Sequence, residues 1–374
     1  MIDFWNYTNE YKLINKQILK SIDKTLKRGN IFFGLEIKKF EKNFLKSNKL
    51  KYGLAVGSGT EAIYLALKAL NIKKNDEVIT VANTAIPTAA AIVMAGAIPR
   101  FVDVKDDYLI NEKNIKEKIN KKTKAIIVVH LYGNVCNMNE IIKISKKYNL
   151  KIIEDCAQAQ GAKINGNFVG SFGDLGCFSF YPTKILGAYG DGGFVTTKSK
   201  KTLNKIKKLR FYGINYDYNK NFKYYAHEKG INSRLDEIQA SILNIKIKKI
   251  NFLINTRKKL AKLYFSKLKN TSLRLPVVND INKHVYHLFV VYHPKRNIIL
   301  KKLRKLNIGT NINYRIPLHK MKAYKEYVCN NCDCLPNTEK FAKGIFSLPL
   351  HPYLKLRDII FICNSLKKIL NTIK

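Results

Sequence analysis

Between about residues 50 and 200 the chain alternates short apolar runs with helical ones. That alternation restricts its fold more than any other feature. KYGLAVGS (51–58), DEVITVA (76–82), RFVDV (100–104), TKAIIVVH (123–130), LKIIED (150–155) and LGCFSFY (175–181) read as strands. Amphipathic or small-residue helices fit between them, such as TEAIYLALKAL (60–70) and NEIIKISKKYN (139–149). Strands apolar on both faces and separated by helices predict an α/β domain with a mainly parallel sheet. From about residue 235 the pattern turns helical through residue 268, VYHLFVVYH (285–293) reads as a strand, and LRDIIFICNSLKKIL (356–370) as a closing helix. We therefore expect a large domain over 31–250, a smaller α+β domain over 251–374, and an N-terminal helical arm, 1–30, packing with the small domain.

The chain's 374 residues, 46% of them hydrophobic, are enough for two cores. The longest apolar stretch, TAAAIVMAGAIP (88–99), is shorter than a membrane span and is broken by Gly96 and Pro99. The opening MIDFWNYTNEYK lacks the basic head and apolar core of a signal peptide. Seven cysteines, odd in number and scattered, fit a reduced cytoplasmic protein. The net charge of +41 raises a nucleic-acid-binding alternative, or attraction of an anionic nucleotide-sugar. Its lysines are spread along the whole chain with abundant Ile, Asn, Tyr and Phe, the mixture that drift in an AT-rich coding sequence produces. That spread argues against a nucleic-acid role.

Three segments carry chemistry. In VGSGTEAIYLALKAL (56–70) a strand runs through Gly57-Ser58-Gly59-Thr60 directly into a helix. Free backbone N–H groups, a hydroxyl and the positive end of a helix dipole suit a phosphate there. A plain glycine turn with Ser58 or Thr60 as cap fits the same residues equally well. In LKIIEDCAQAQGA (150–162) Asp155 ends an apolar strand, where open α/β sheets place their ligands. A carboxylate at that position needs a partner such as a protonated pyridine nitrogen, and taken alone it reads more simply as a helix cap. In VGSFGDLGCFSFYPTKILGAYGDGGFVTT (169–197) Lys184 stands on a glycine-dense, apolar loop, unlike most lysines of this chain. A lysine beside a sheet in such a setting can join covalently to an aldehyde. Ser179, at the end of the same strand, can donate to a phosphate.

Together these segments resemble the DegT/DnrJ/EryC1/StrS aminotransferases, which aminate nucleotide-linked keto-sugars. The resemblance runs in order through VGSGTEAIYLAL, ANTAIPTAAAI, HLYGN, EDCAQAQGA, GSFGDLGCFSFYPTKILGAYGDGG, NSRLDEIQASIL, NINYRIPLHKMKAY and FSLPLHP. It implies the aspartate-aminotransferase-like fold of pyridoxal-phosphate (PLP) enzymes, fold type I. It further implies that Lys184 holds pyridoxal 5'-phosphate covalently and that Asp155 pairs with the ring nitrogen. Gln158 would lie near the phenolic oxygen, while Gly59, Thr60 and Ser179 would bind the phosphate. Asn232 would reach the phosphate of a neighbouring subunit, making a homodimer with shared sites the active unit. Tyr314 and His319 would approach the sugar-nucleotide, and L-glutamate is the family's usual amino donor. Lys184, once released from the cofactor, would act as general base and acid. Some members are dehydratases with His at the position of Lys184, and the lysine argues against that activity here. A keto-cyclitol acceptor without a nucleotide is the nearer alternative.

Ala85 occupies the place where many relatives carry an aromatic ring stacked on the cofactor. Cys329, Cys332 and Cys334 are closely spaced, but no fourth metal ligand stands nearby and they read as loop cysteines, so no metal is expected. His130, His284 and His287 fit packing in or at the end of strands, and His351 reads as structural. Arg234 is expected to pair locally with Asp236 or Glu237.

Overall fold

The computed structural model describes residues 1–216, 224–278, 283–328 and 335–373. Cys329, Cys332 and Cys334 lie outside them. In chain order the first half comprises α1 (Tyr7–Lys27), α2 (Leu35–Ser47), β1 (Tyr52–Val56), α3 (Gly59–Ala69), β2 (Glu77–Val81), α4 (Ile86–Met94), β3 (Ile98–Val102), α5 (Glu112–Lys118), β4 (Thr123–Val129), α6 (Met138–Tyr148) and β5 (Lys151–Asp155). A small hairpin, β6 (Lys163–Ile164) with β7 (Asn167–Phe168), precedes β8 (Leu175–Ser179) and β9 (Gly193–Thr197). Then come α7 (Lys200–Leu209), α8 (Glu237–Lys246), α9 (Ile250–Leu268), β10 (Phe289–Tyr292), α10 (Arg296–Lys305), α11 (Pro336–Gly344), β11 (Ile345–Leu348) and α12 (Leu356–Asn371).

The central sheet has the order β1-β9-β8-β5-β4-β2-β3. Strand β9 is antiparallel to both its neighbours, and the other six strands all run the same way. The expected mainly parallel sheet is present, and each of the six strands expected between about residues 50 and 200 lies in it. Their C-terminal ends share one edge with the N-terminal end of β9. Beneath that edge Phe40 and Phe44 of α2 pack against Phe178, Phe180 and Phe194. The Phe44–Phe194 ring centroids are 4.5 Å apart and those of Phe40–Phe180 5.1 Å. Such pairs contribute about 0.5–1.5 kcal/mol each beyond their buried area. They brace both strands from which the Lys184 loop springs.

The C-terminal segments build a second core. Tyr264 of α9, Phe289 of β10, Leu303 of α10, Phe346 of β11 and Leu366 of α12 pack together around the antiparallel pair β10–β11. Two sequence expectations change in detail. The helical run after residue 235 is interrupted by a single 3-10 turn at Ile247–Lys249. The run 285–293 is a strand only over Phe289–Tyr292. Ahead of it Tyr286 takes a left-handed φ of 51°, and its N–H donates to His284 Nδ1 at 2.8 Å. That turn lets Val285 N–H donate to Gly133 O at 2.9 Å, a long-range contact that periodicity does not report.

At the N-terminus Ile2 bridges to Ile308 beside the second core, whereas Ile14 and Ile18 of α1 pack on Ile242 of α8. Glu10 of α1 joins the parts. Its carboxylate accepts from Lys246 Nζ at 2.9 Å, from the Tyr189 hydroxyl at 3.3 Å and from the Tyr353 hydroxyl at 3.1 Å. No helix among the described residues is long and apolar enough to cross a membrane.

Candidate active site

The sheet edge where the strands end opens into a cavity of about 270 Å³. Gly59, Thr60, Asp155, Gln158, Ser179 and Lys184 all line it, so six residues singled out by sequence meet in one place. Ala85 lines it too. Each comes from a strand end, the turn after it or the start of the helix that follows, the position an open α/β sheet reserves for ligands.

One wall is the N-terminus of α3. Ser58 caps the helix, its Oγ accepting from Glu61 N–H at 3.2 Å. The backbone is pressed close here. A Cβ on Gly59 would lie 2.7 Å from Ser179 Cβ, and one on Gly193 would lie 2.2 Å from Ser58 O. Glycine at both positions lets β8, β9 and α3 converge on a concavity lined by backbone N–H groups, with positive helix-end potential. Ser179 Oγ accepts from Tyr181 N–H at 3.2 Å and keeps its own proton to donate. These donors fit a phosphate group.

Asp155 is buried at the end of β5. Its Oδ1 accepts from Ala157 N–H at 3.1 Å and its Oδ2 from the Thr88 hydroxyl at 2.9 Å. Burial raises its pKa above the usual carboxylate value. The two hydrogen bonds and the charge of Lys184 oppose that rise. Lys184 faces the same cavity from the loop after β8. Desolvation pushes its pKa down to about 8, with Asp155 resisting the fall. Near neutral pH its share of free amine is on the order of 300-fold greater than that of an unperturbed lysine. The site thus pairs a nucleophilic amine with a buried acid, which fits a cofactor carrying an aldehyde and a basic ring nitrogen.

Gln158 is held at both ends. Its Oε1 accepts from Tyr132 N–H at 2.8 Å, which fixes the amide orientation, and its Nε2 donates to the Tyr314 hydroxyl at 2.9 Å. Tyr132 in turn donates its hydroxyl to Asn313 O. Burial holds the Tyr314 hydroxyl far above its ordinary pKa, so it stays protonated. Tyr314 therefore meets the site through Gln158.

Behind Asp155 lies a saturated polar cluster. Glu154 accepts from the N–H groups of Gly170 (2.9 Å), Phe172 (2.7 Å) and Gly173 (2.8 Å) and from His130 Nε2 (3.1 Å). His130 Nδ1 accepts from Cys136 N–H at 3.2 Å, which puts the imidazole proton on Nε2. His130, Glu154 and Cys156 are close enough to suggest a metal site, but these hydrogen bonds already occupy both imidazole nitrogens. The cluster is structural.

Three of the expected residues are not among those lining the cavity: His319, Asn232 and Tyr314, the last of which reaches it through Gln158. His319 is buried, its Nε2 3.1 Å from Glu339 Oε1. Asn232 is exposed, and its Oδ1 accepts from Arg234 Nε at 2.9 Å. The neighbouring Ser233 is buried. It accepts from Gly57 N–H at 3.1 Å and donates to Glu61 at 2.5 Å, fastening this segment to α3. The expected local ion pair of Arg234 does not form. Its guanidinium lies over the rings of Phe32, Phe33 and Phe211. The Glu237 carboxylate instead accepts from the N–H groups of Gly34, Glu36 and Ile37. Sequence reasoning also passed over Thr88, although it stands in the quoted ANTAIPT segment. Only the fold brings its hydroxyl to Asp155.

The profile of the DegT/DnrJ/EryC1/StrS aminotransferase family matches residues 12–367. The chain belongs to this family. This aminotransferase is 40% identical over 356 residues to the dTDP-3-amino-3,4,6-trideoxy-alpha-D-glucose transaminase of Micromonospora megalomicea subsp. nigra, covering 94% of each chain. It is 38% identical to the UDP-N-acetyl-3-dehydro-alpha-D-glucosamine 3-aminotransferase of Acidithiobacillus ferrooxidans, covering 96% of this chain and 95% of that one. Its fold superposes with a TM-score of 0.94 on the crystal structure of S. venezuelae DesV in complex with ketimine intermediate. That match is 31% identical and covers 100% of this chain and 99% of DesV.

Proposed function

We propose that this aminotransferase converts a nucleotide-linked keto-sugar to the corresponding amino sugar, with L-glutamate as amino donor. The observation that carries the reading is the meeting of Lys184 and Asp155 in one cavity whose wall is the N-terminus of α3. The relatives that act on dTDP- and UDP-linked sugars support the substrate class.

The cofactor is pyridoxal 5'-phosphate, which supplies an electron sink for the carbanion formed at the donor's α-carbon. Lys184 would hold it through its amine, Asp155 through the ring nitrogen, and Gln158 through the phenolic oxygen. Gly59, Thr60 and Ser179 would hold the phosphate. With its depressed pKa, Lys184 Nζ is suited to take the donor's α-proton and return it. Asp155, whose anion is favoured by its two donors, would stabilise positive charge opposite it. Ala85 gives its part of the cavity wall no aromatic side chain to stack on the ring.

A homodimer follows from the same reading. Asn232 is exposed although its neighbour Ser233 is anchored to α3, and half-exposed Phe32 lies under Arg234 beside it. A second copy covering that surface would receive Asn232 as a phosphate ligand. Tyr314 and His319 would border the sugar-nucleotide path.

The test is the visible spectrum of the purified protein with added cofactor, before and after borohydride, beside Lys184→Ala. A yellow band trapped covalently in wild type and absent from the variant is expected. Wild-type protein that takes up no cofactor would overturn the reading.

A further inference from the structure

Asp155 receives its second hydrogen bond from a residue that nothing in its own strand specifies. Thr88 lies in the first turn of α4, is 1% exposed, and directs its hydroxyl to Asp155 Oδ2 at 2.9 Å. The hydroxyl of Thr84, also buried, is 3.2 Å from that of Thr88. The cap position of α4 is Ala85, which has no oxygen, and Pro87 removes one N–H from the turn. Among the described residues neither threonine hydroxyl caps the helix. Together they form a two-link chain ending on the carboxylate.

The polarity of that chain is fixed by chemistry. An ionised carboxylate only accepts, so Thr88 must donate to Asp155, and its oxygen is then free to accept from Thr84. Hydrogen bonds to a charged group are the strong ones, and a donor that itself accepts a bond is polarised further. If Asp155 were protonated, the chain would lose this bias. We propose that Thr88, backed by Thr84, is a positioning residue that keeps Asp155 anionic and aimed at the cofactor's ring nitrogen. This rests on the cofactor reading above.

Other groups facing Asp155 do not replace it. Lys184 approaches from the loop after β8, His130 from the end of β4 and Tyr314 from the C-terminal part, while Cys156 and Cys177 are buried beside it. Glu154 precedes it on β5, fully engaged elsewhere. All of these are unchanged by a substitution at Thr88. Among the described residues, Ala157 N–H and the Thr88 hydroxyl are the two groups that donate a hydrogen bond to it.

The experiment uses the full chain stripped of cofactor. The dissociation constant for pyridoxal 5'-phosphate is measured against pH for wild type, Thr88→Val, Thr88→Ser and Thr84→Val. Binding that needs the Asp155 anion weakens as pH falls through its pKa. Loss of the Thr88 donor should move this acid limb upward by about one to two pH units. Thr88→Ser should restore it, and Thr84→Val should move it less, in the same direction. If Thr88→Val does not fold by circular dichroism, Thr88→Ala takes its place and the same upward move is expected. An acid limb that stays at the wild-type pH in the valine or alanine variant overturns the proposal, whatever the overall affinity. Wild-type protein that binds no cofactor at any pH would overturn the cofactor reading itself, and this proposal with it.

Discussion

The amide nitrogen of Gln158 donates to the Tyr314 hydroxyl at 2.9 Å, joining the turn after β5 to the C-terminal part of the chain. Because Tyr132 N–H already fixes the amide oxygen, Tyr314 sets only how rigidly the amide sits, not which way it faces. Tyr314→Phe should therefore weaken cofactor retention modestly, by about fivefold, the value of one neutral hydrogen bond. Equilibrium dialysis against pyridoxal 5'-phosphate measures it. A loss of a thousandfold would mean that Tyr314 touches the cofactor directly.

Lys184 gives a pH dependence with a definite sign. Its amine is protonated and unreactive below a pKa of about 8, so the rate of cofactor attachment should climb tenfold per pH unit below that value and level off above it. Asp155 raises the Lys184 pKa. Asp155→Asn should therefore shift the midpoint to lower pH, even as it weakens binding at the ring nitrogen. Stopped-flow absorbance of the growing yellow band reads both effects.

Mixing two inactive variants tests the shared site. If a site takes Lys184 from one protomer and Asn232 from the other, Lys184→Ala and Asn232→Ala chains mixed one-to-one and allowed to exchange have one intact site per hybrid dimer. About a quarter of all sites should then be active. No recovery of transamination after exchange would place both residues on one chain's site.

Glu154 should matter for stability rather than for turnover. It accepts from three backbone N–H groups and from His130, so Glu154→Gln turns an amide –NH₂ against donors that cannot accept. A loss of about 3 kcal/mol is expected. Urea denaturation checks this, with the remaining folded enzyme keeping its cofactor.

The α/β fold and the cavity's main residues were legible because both depend on local order. Strand ends converge in a parallel sheet whatever its detailed packing, so Lys184, Asp155 and Ser179, each in or just after a strand end, were bound to be neighbours. What escaped depends on contacts between distant segments. Thr88 gives no sign of its partner in its own segment, and only the fold brings the start of α4 to the end of β5. Arg234 was expected to meet a nearby acid. Glu237, however, is engaged by the backbone of residues some 200 positions earlier, a separation no local pattern reports. The late start of β10 has the same origin, since residues ahead of it dock on Gly133.

The reversal of β9 has a mechanical meaning for the residue it follows. Lys184 rides on a span that leaves the sheet at Ser179 and rejoins it at Gly193, on the adjacent strand and the same edge. The span is tied midway, with Gln160 donating to Ser179 O at 2.6 Å and accepting from Leu186 N–H at 2.8 Å. A beam fixed at both ends and propped in the middle has little freedom left to surrender when a ligand arrives, so less of the binding free energy is spent on ordering it.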